Sequence, residues 1–111
     1  DINDYDIHVN VIGGGKIDGP SAGAAITICI ISALTERPIR QDVAITGEIS
    51  LRGNIKPVGG IFEKIYGARR KVIKLVAIPK DNEKEVPLGL EDIEVKSISH
   101  IEELMEIVFE K

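Results

Sequence analysis

The stretch from Ala22 to Leu34 constrains this chain most. Only Thr27 and Ser32 interrupt an otherwise apolar run, so the pattern predicts a central helix over 20–36 that is buried on most of its sides. Pro20 suits the first helical position, because its φ is preset and its missing N–H would have had no partner there. Pro38 stands just past the other end and stops the helix. The entrance reads Asp18-Gly19-Pro20-Ser21-Ala22-Gly23 and sets Ser21 in the first turn, beside backbone N–H groups that no intrahelical carbonyl satisfies. Two readings of Ser21 stand at this point. It helps cap the helix, the commoner use of a serine there, or it is a nucleophile beside free amides and a helix dipole that would stabilise an oxyanion.

The rest of the chain alternates strands with helices. Tyr5, Ile7, Val9 and Val11 share one face of a half-buried strand over 5–11, with His8 on the polar face. The glycines at 13–15 break that strand into a loop. A strand is expected over 42–49, and 51–58 pairs with it as a hairpin turning around Ser50 to Asn54. Gly47 sits within the first of these strands, where glycine marks a bulge or a close approach of backbones. Gly59-Gly60 opens a second helix over 61–71, and 75–79 and 93–98 read as further strands. Between them, 81–85 is a charged turn or short helix. Ser99 is the expected N-cap of a last helix, with Glu102 three residues on, and Ile101, Leu104, Met105 and Val108 face inward. This succession predicts α/β or α+β layering in one domain.

Composition removes several classes of function. A formal charge of −4 and a pI of about 5.2 argue against nucleic acid or an anionic membrane as partner, although Arg69-Arg70-Lys71 leaves a local basic patch. The apolar run is shorter than the roughly 18 residues that span a bilayer. Cys29 is the only cysteine, so the expectation is a buried structural thiol in a reducing compartment, the cytoplasm. A chain that opens on Asp1 rather than Met is expected to be an excised or processed piece of something longer. His8 and His100 lack neighbours at ligand spacing, so no metal is expected and both histidines read as surface or structural. Gly13-Gly14-Gly15-Lys16 fails as a phosphate loop, since the Walker spacing requires glycine at Asn10 and Ser or Thr at Ile17.

A base for Ser21 is available 43 positions on. With Ile61 as reference at about 100° per residue, Ile65, Ala68 and Val72 fall within about 40° of it and Lys64 about 60° to one side. Lys64 therefore borders the buried face, while Glu63, Tyr66 and Arg70 point away. One reading is a lysine that buries its stem and carries its ammonium out to water. The other is an amine desolvated beside Ser21. A free lysine, with a pKa of about 10.4, is no base near neutrality. Lowering it to roughly 7 to 8 costs about 4 kcal/mol, which burial in apolar surroundings supplies. Thr46 could orient the neutral amine, or simply be a residue that favours strands.

Five blocks in order then carry a resemblance over nearly the whole chain: Asp6-Ile7-His8-Val9, Asp18-Gly19-Pro20-Ser21-Ala22-Gly23, Thr46-Gly47-Glu48-Ile49, Gly59-Gly60-Ile61-Phe62-Glu63-Lys64 and Ile78-Pro79-Lys80-Asp81-Asn82. They resemble the proteolytic domain of the Lon family of ATP-dependent proteases. The resemblance implies an α+β fold like domain 2 of ribosomal protein S5, a mixed sheet packed with helices. It makes Ser21 the nucleophile and Lys64 the general base of a Ser–Lys dyad. Thr46 would hold the lysine, Asp18 would lie at the site edge, and the backbone amides of Ser21 and Ala22 would form the oxyanion hole. It further implies polypeptide substrates, a homo-oligomeric (hexameric) ring and an AAA+ motor in cis or in trans, through which alone ATP would act; no cofactor is expected in residues 1–111.

Two departures accompany the match. Residues 1–111 do not hold the strands that the family usually carries before the segment matching Asp1, nor an ATPase module, and are expected to be a fragment. The glycine-rich stretch 12–15 is unusual for the family and suggests a Lon-B-like or otherwise divergent branch. The alternative to a peptidase is a non-catalytic Lon-like module for assembly or oligomerisation; such modules usually lose the serine or the lysine, and both stand here.

Overall fold

Among the described residues a three-stranded parallel sheet carries the fold, and the period-two alternation of its side chains decides which layer each of them meets. The computed structural model describes residues 10–11, 15–16, 23–69 and 73–110. In chain order these form β1 (Asn10–Val11), β2 (Gly15–Lys16), α1 (Gly23–Thr35), β3 (Val43–Ile45), β4 (Glu48–Ile49), β5 (Ile55–Lys56), α2 (Ile61–Arg69), β6 (Leu75–Pro79), a 3₁₀ turn at Lys80–Glu85, β7 (Glu94–Ile98) and α3 (Ile101–Val108). The strand expected over 5–11 lies outside the described residues except at its end, where β1 pairs antiparallel with β2. His8 is also outside them.

The main sheet has the order β3-β6-β7, with all three strands parallel and Val43 opposite Leu75, which in turn lies opposite Glu94. Val43, Ile45, Leu75, Ala77 and Ile98 pack with Ala24, Ala25 and Ile28 of α1 and Leu104 and Val108 of α3. Ala44, Val76 and Ile78 pack on the other side with Ile61, Ile65 and Ala68 of α2. Because alternate residues of one strand face opposite layers, the continuous apolar runs of β3 and β6 are those of strands buried on both sides. With two antiparallel hairpins beside this parallel sheet, the class is α+β, as expected.

The single strand expected over 42–49 is instead two. The chain leaves the main sheet after Ile45, and Glu48–Ile49 pairs antiparallel with Ile55–Lys56 in a separate hairpin. Gly47 makes that transfer at φ 141°, a region open to glycine and rarely to side-chain-bearing residues. The pairing of 51–58 with this segment holds over Ile55–Lys56.

Helix α1 is less enclosed than its composition predicts. It buries Ala24, Ala25 and Ile28, while Ile26 and Leu34 are exposed and Cys29 is half-buried; burial still pushes the Cys29 thiol above its ordinary range. An all-round apolar sequence permits burial on every side, but packing partners decide which side is used.

The last helix begins one residue later than expected. His100, not Ser99, is the N-cap: its Nδ1 accepts the Glu102 N–H at 3.1 Å, and the Glu103 carboxylate accepts the His100 N–H at 3.0 Å. The Ser99 hydroxyl donates to the same carboxylate at 2.7 Å. The imidazole Nε2 reaches the Arg52 carbonyl at 2.9 Å and ties this helix start to the β4–β5 turn. His100 is thus structural. Gly53, at φ 88°, permits this contact, since a Cβ there would lie 2.8 Å from Nε2.

Candidate active site

Of the residues singled out in the sequence, Thr46 stands at the carboxyl end of β3 and Lys64 on α2. The Thr46 N–H continues the β3–β6 ladder by donating to Ala77 O at 3.0 Å. By the alternation of β3, Thr46 takes the same side as Ala44, the side covered by α2. It is buried at 6% exposure, and its Oγ1 has no hydrogen-bond partner among the described residues. A buried hydroxyl without a partner costs about 1–3 kcal/mol.

One step further, Gly47 binds the start of α1 to this spot. Its carbonyl accepts the Ala24 N–H at 2.9 Å. A Cβ on Gly23 would lie 3.3 Å from the Ile49 nitrogen, so the helix entrance sits directly against the β4 backbone. Ser21, Ala22 and Asp18 lie outside the described residues. They immediately precede this anchored turn, and the Ala24 amide is already used by Gly47.

On α2, the helical-wheel reading holds: Ile61, Ile65 and Ala68 are buried, and Lys64 is half-buried at the rim. Its Nζ donates to the Gly59 carbonyl at 3.1 Å, so the amine turns back over the double glycine that opens the helix. Gly60 makes that opening at φ 73°. Val72 lies outside the described residues, as do Arg70 and Lys71 of the basic patch. Arg69, the remaining member, bonds Asp92 at 2.7 Å and lies over the Tyr66 ring.

Sequence reasoning missed Asn82 as a constituent of this region. Only 3% exposed, it accepts the Val58 N–H at Oδ1 (2.9 Å) and donates from Nδ2 to the Val58 carbonyl (2.8 Å). Its setting in the charged stretch Lys80–Glu85 hides it, since nothing in local polarity separates a buried amide from exposed neighbours. A groove of about 500 Å³ lies elsewhere, lined by Arg40, Leu75, Glu94 and Glu106 among others, at the amino end of the parallel strands and away from Thr46. Among the described residues no group of three His, Cys, Asp or Glu is placed to hold a metal ion, and no helix is long and apolar enough to cross a membrane.

Residues 1–111 match the family model of the Lon protease (S16) C-terminal proteolytic domain. The chain belongs to this family. It is 48% identical over 109 residues to Lon protease 2 of Herpetosiphon aurantiacus, covering 94% of this chain and 13% of that protein. Against Lon protease of Desulfatibacillum aliphaticivorans the figures are 43% over 109 residues, 94% and 13%. Against Lon protease 2 of Bacillus subtilis they are 43% over 104 residues, 94% and 19%. The chain thus spans between 13% and 19% of the length of these Lon proteases. Within the Lon domain, the structure brings Thr46 and the α1 entrance together at one end of the sheet and sets Lys64 on the helix that covers it.

Proposed function

We propose that this domain is a serine endopeptidase with a Ser–Lys dyad, the proteolytic part of an ATP-dependent protease that degrades unfolded or regulatory proteins. The observation that carries the reading is the family match over 1–111 together with a chain that keeps both the serine and the lysine of the motif. In this mechanism Lys64 Nζ takes the proton of Ser21 Oγ, and the alkoxide attacks a peptide carbonyl. The amides of Ser21 and Ala22 hold the oxyanion. The protonated lysine returns its proton to the leaving amine, and water, deprotonated by the same lysine, hydrolyses the acyl-enzyme.

The bond from Lys64 to Gly59 O suits this role. A neutral amine has two hydrogens and one lone pair, and the hydrogen given to the Gly59 carbonyl helps to set the direction of the lone pair. Thr46 supports the lysine from the carboxyl end of β3, and Asp18 stands at the site edge. Polypeptides are the substrates, and no cofactor is needed in this domain. The domain works as a homo-oligomer, in the cytoplasm, with an AAA+ motor in cis or in trans.

Ser21→Ala and Lys64→Ala test the reading in a fluorogenic peptide assay, with folding followed by circular dichroism. Each is expected to abolish hydrolysis and leave the fold intact. A folded Lys64→Ala variant that still cleaves would sink the dyad, and a wild-type protein inert in its assembled form would favour the non-catalytic assembly module.

A further inference from the structure

We infer that Asn82 is a positioning residue for Lys64, acting through the Val58–Gly60 loop; the inference rests on the dyad reading above. The Val58 side chain packs against the core cluster of Ile61, Ile65 and Ile78, and the Gly60 carbonyl accepts the Lys64 N–H at 3.0 Å, but neither contact involves the Gly59 carbonyl. Strand pairing ends at Lys56, and Gly59 and Gly60 carry no side chains. A Cβ at Gly59 would meet nothing within 4 Å. Yet the Gly59 carbonyl has to be well placed, because Lys64 Nζ donates to it at 3.1 Å.

Asn82 adds a backbone constraint at Val58. Its amide presents an acceptor and a donor side by side, and it meets both polar groups of Val58 as a neighbouring strand would, at 2.9 and 2.8 Å. The second Nδ2 hydrogen goes to Glu85. The buried amide is therefore used on both of its atoms, which a 97% buried group requires. The clamp itself is rigidly mounted. Asn82 follows the fully buried central strand β6 by three residues, and the neighbouring Glu83 accepts the Ser97 hydroxyl of β7. Held at Val58, the next peptide turns its carbonyl within a narrower range, and that carbonyl accepts from Lys64 Nζ.

Asp at 82 is nearly isosteric and still accepts the Val58 N–H, but it has no hydrogen for the Val58 carbonyl and sets a second carboxylate beside Glu85. The test uses chain labelled with ¹³C at lysine Cε. The Lys64 resonance is assigned by its loss in Lys64→Arg, and wild type is compared with Asn82→Asp and Asn82→Ala. A carbonyl acceptor favours the ammonium form. Loosening it is expected to lower the titration midpoint of Lys64 by about half a pH unit, with the resonances of Lys74 and Lys96 unmoved. In the peptide assay kcat is expected to fall about tenfold with KM unchanged, the acid limb of the pH profile moving with the midpoint.

A folded Asn82 variant in which the Lys64 midpoint stays at its wild-type value overturns the inference. Should neither variant fold, amide exchange in the wild-type chain decides: protected Val58 N–H and Asn82 Nδ2 hydrogens support the clamp, and exchange at the rate of an open loop refutes it. A moved midpoint combined with an active Lys64→Ala variant would instead leave the clamp standing and remove the dyad.

Discussion

The N–H of Ala24 donates to the carbonyl of Gly47 at 2.9 Å, so the start of α1 is bonded to the point where the chain passes from one sheet to another. That bond ties the residue that follows the Asp18–Gly23 block to Gly47 of the Thr46–Ile49 block, and the two blocks lie far apart in the sequence. It also occupies the Ala24 amide.

Gly47→Ala is expected to disrupt this junction. The residue sits at φ 141°, and a Cβ would come within 2.9 Å of Ile55 Cγ2 and 3.2 Å of Pro79 Cγ. Backbone strain and overpacking together cost about 2–4 kcal/mol. Urea unfolding reads the loss, and a change under about 0.5 kcal/mol would contradict the geometry.

Thr46 separates stability from activity. Its buried hydroxyl has no partner among the described residues, so Thr46→Val, which keeps the shape and removes the hydroxyl, is expected to leave stability unchanged or raise it by up to about 1 kcal/mol. Peptide hydrolysis should nevertheless fall, by about tenfold or more if the hydroxyl orients Lys64, and Thr46→Ser should restore part of it. A fully active Thr46→Val protein would remove Thr46 from the site.

Ile65 lies on the buried face of α2 one residue after Lys64 and is fully buried. Ile65→Ala is expected to cost about 2–5 kcal/mol, through lost burial and the cavity left behind. Thermal unfolding measures it. A cost below about 1 kcal/mol would mean that α2 is not seated on Ala44, Val76 and Ile78 as described.

Acid should loosen the start of α3. The Ser99 hydroxyl, the Ser99 N–H and the His100 N–H all bond the Glu103 carboxylate and hold it below the usual carboxylate range. The folded pKa lies below the unfolded value, so the contribution is complete above the unfolded glutamate pKa of about 4.3 and is lost as pH falls below it. Asp42, lowered by its hydrogen bonds from Arg40, acts in the same sense. Glu103→Gln should therefore narrow the gap in Tm between pH 7 and about pH 3.5. An equal gap in the two proteins would show that the carboxylate adds nothing there.

Much of the fold was legible in the chain. The helix over 61–69 followed from the spacing of Ile61, Ile65 and Ala68, and the two-sided burial of Leu75 to Pro79 from an unbroken apolar run. Both are local patterns that report the layer an element must meet. The split of 42–49 was not legible, because Val43 through Ile49 reads as one strand until Gly47 is seen to turn at φ 141°. The cap at His100 was missed for a related reason: histidine is a rarer cap than serine, and only its reach to Arg52 O favours it here.

For the site, the sequence by itself determined the chemical parts. A serine at a helix entrance, a lysine at the rim of an apolar helix face and a threonine near a strand end are fixed by residue type and short-range periodicity, and the order of the blocks determined the family. Only the tertiary structure decided how those parts are supported: Gly47 bonded to Ala24, and Asn82 clamped across Val58. These contacts join segments more than twenty residues apart. Their partners are backbone groups, which every residue carries alike, so the sequence leaves no mark at the positions that accept them.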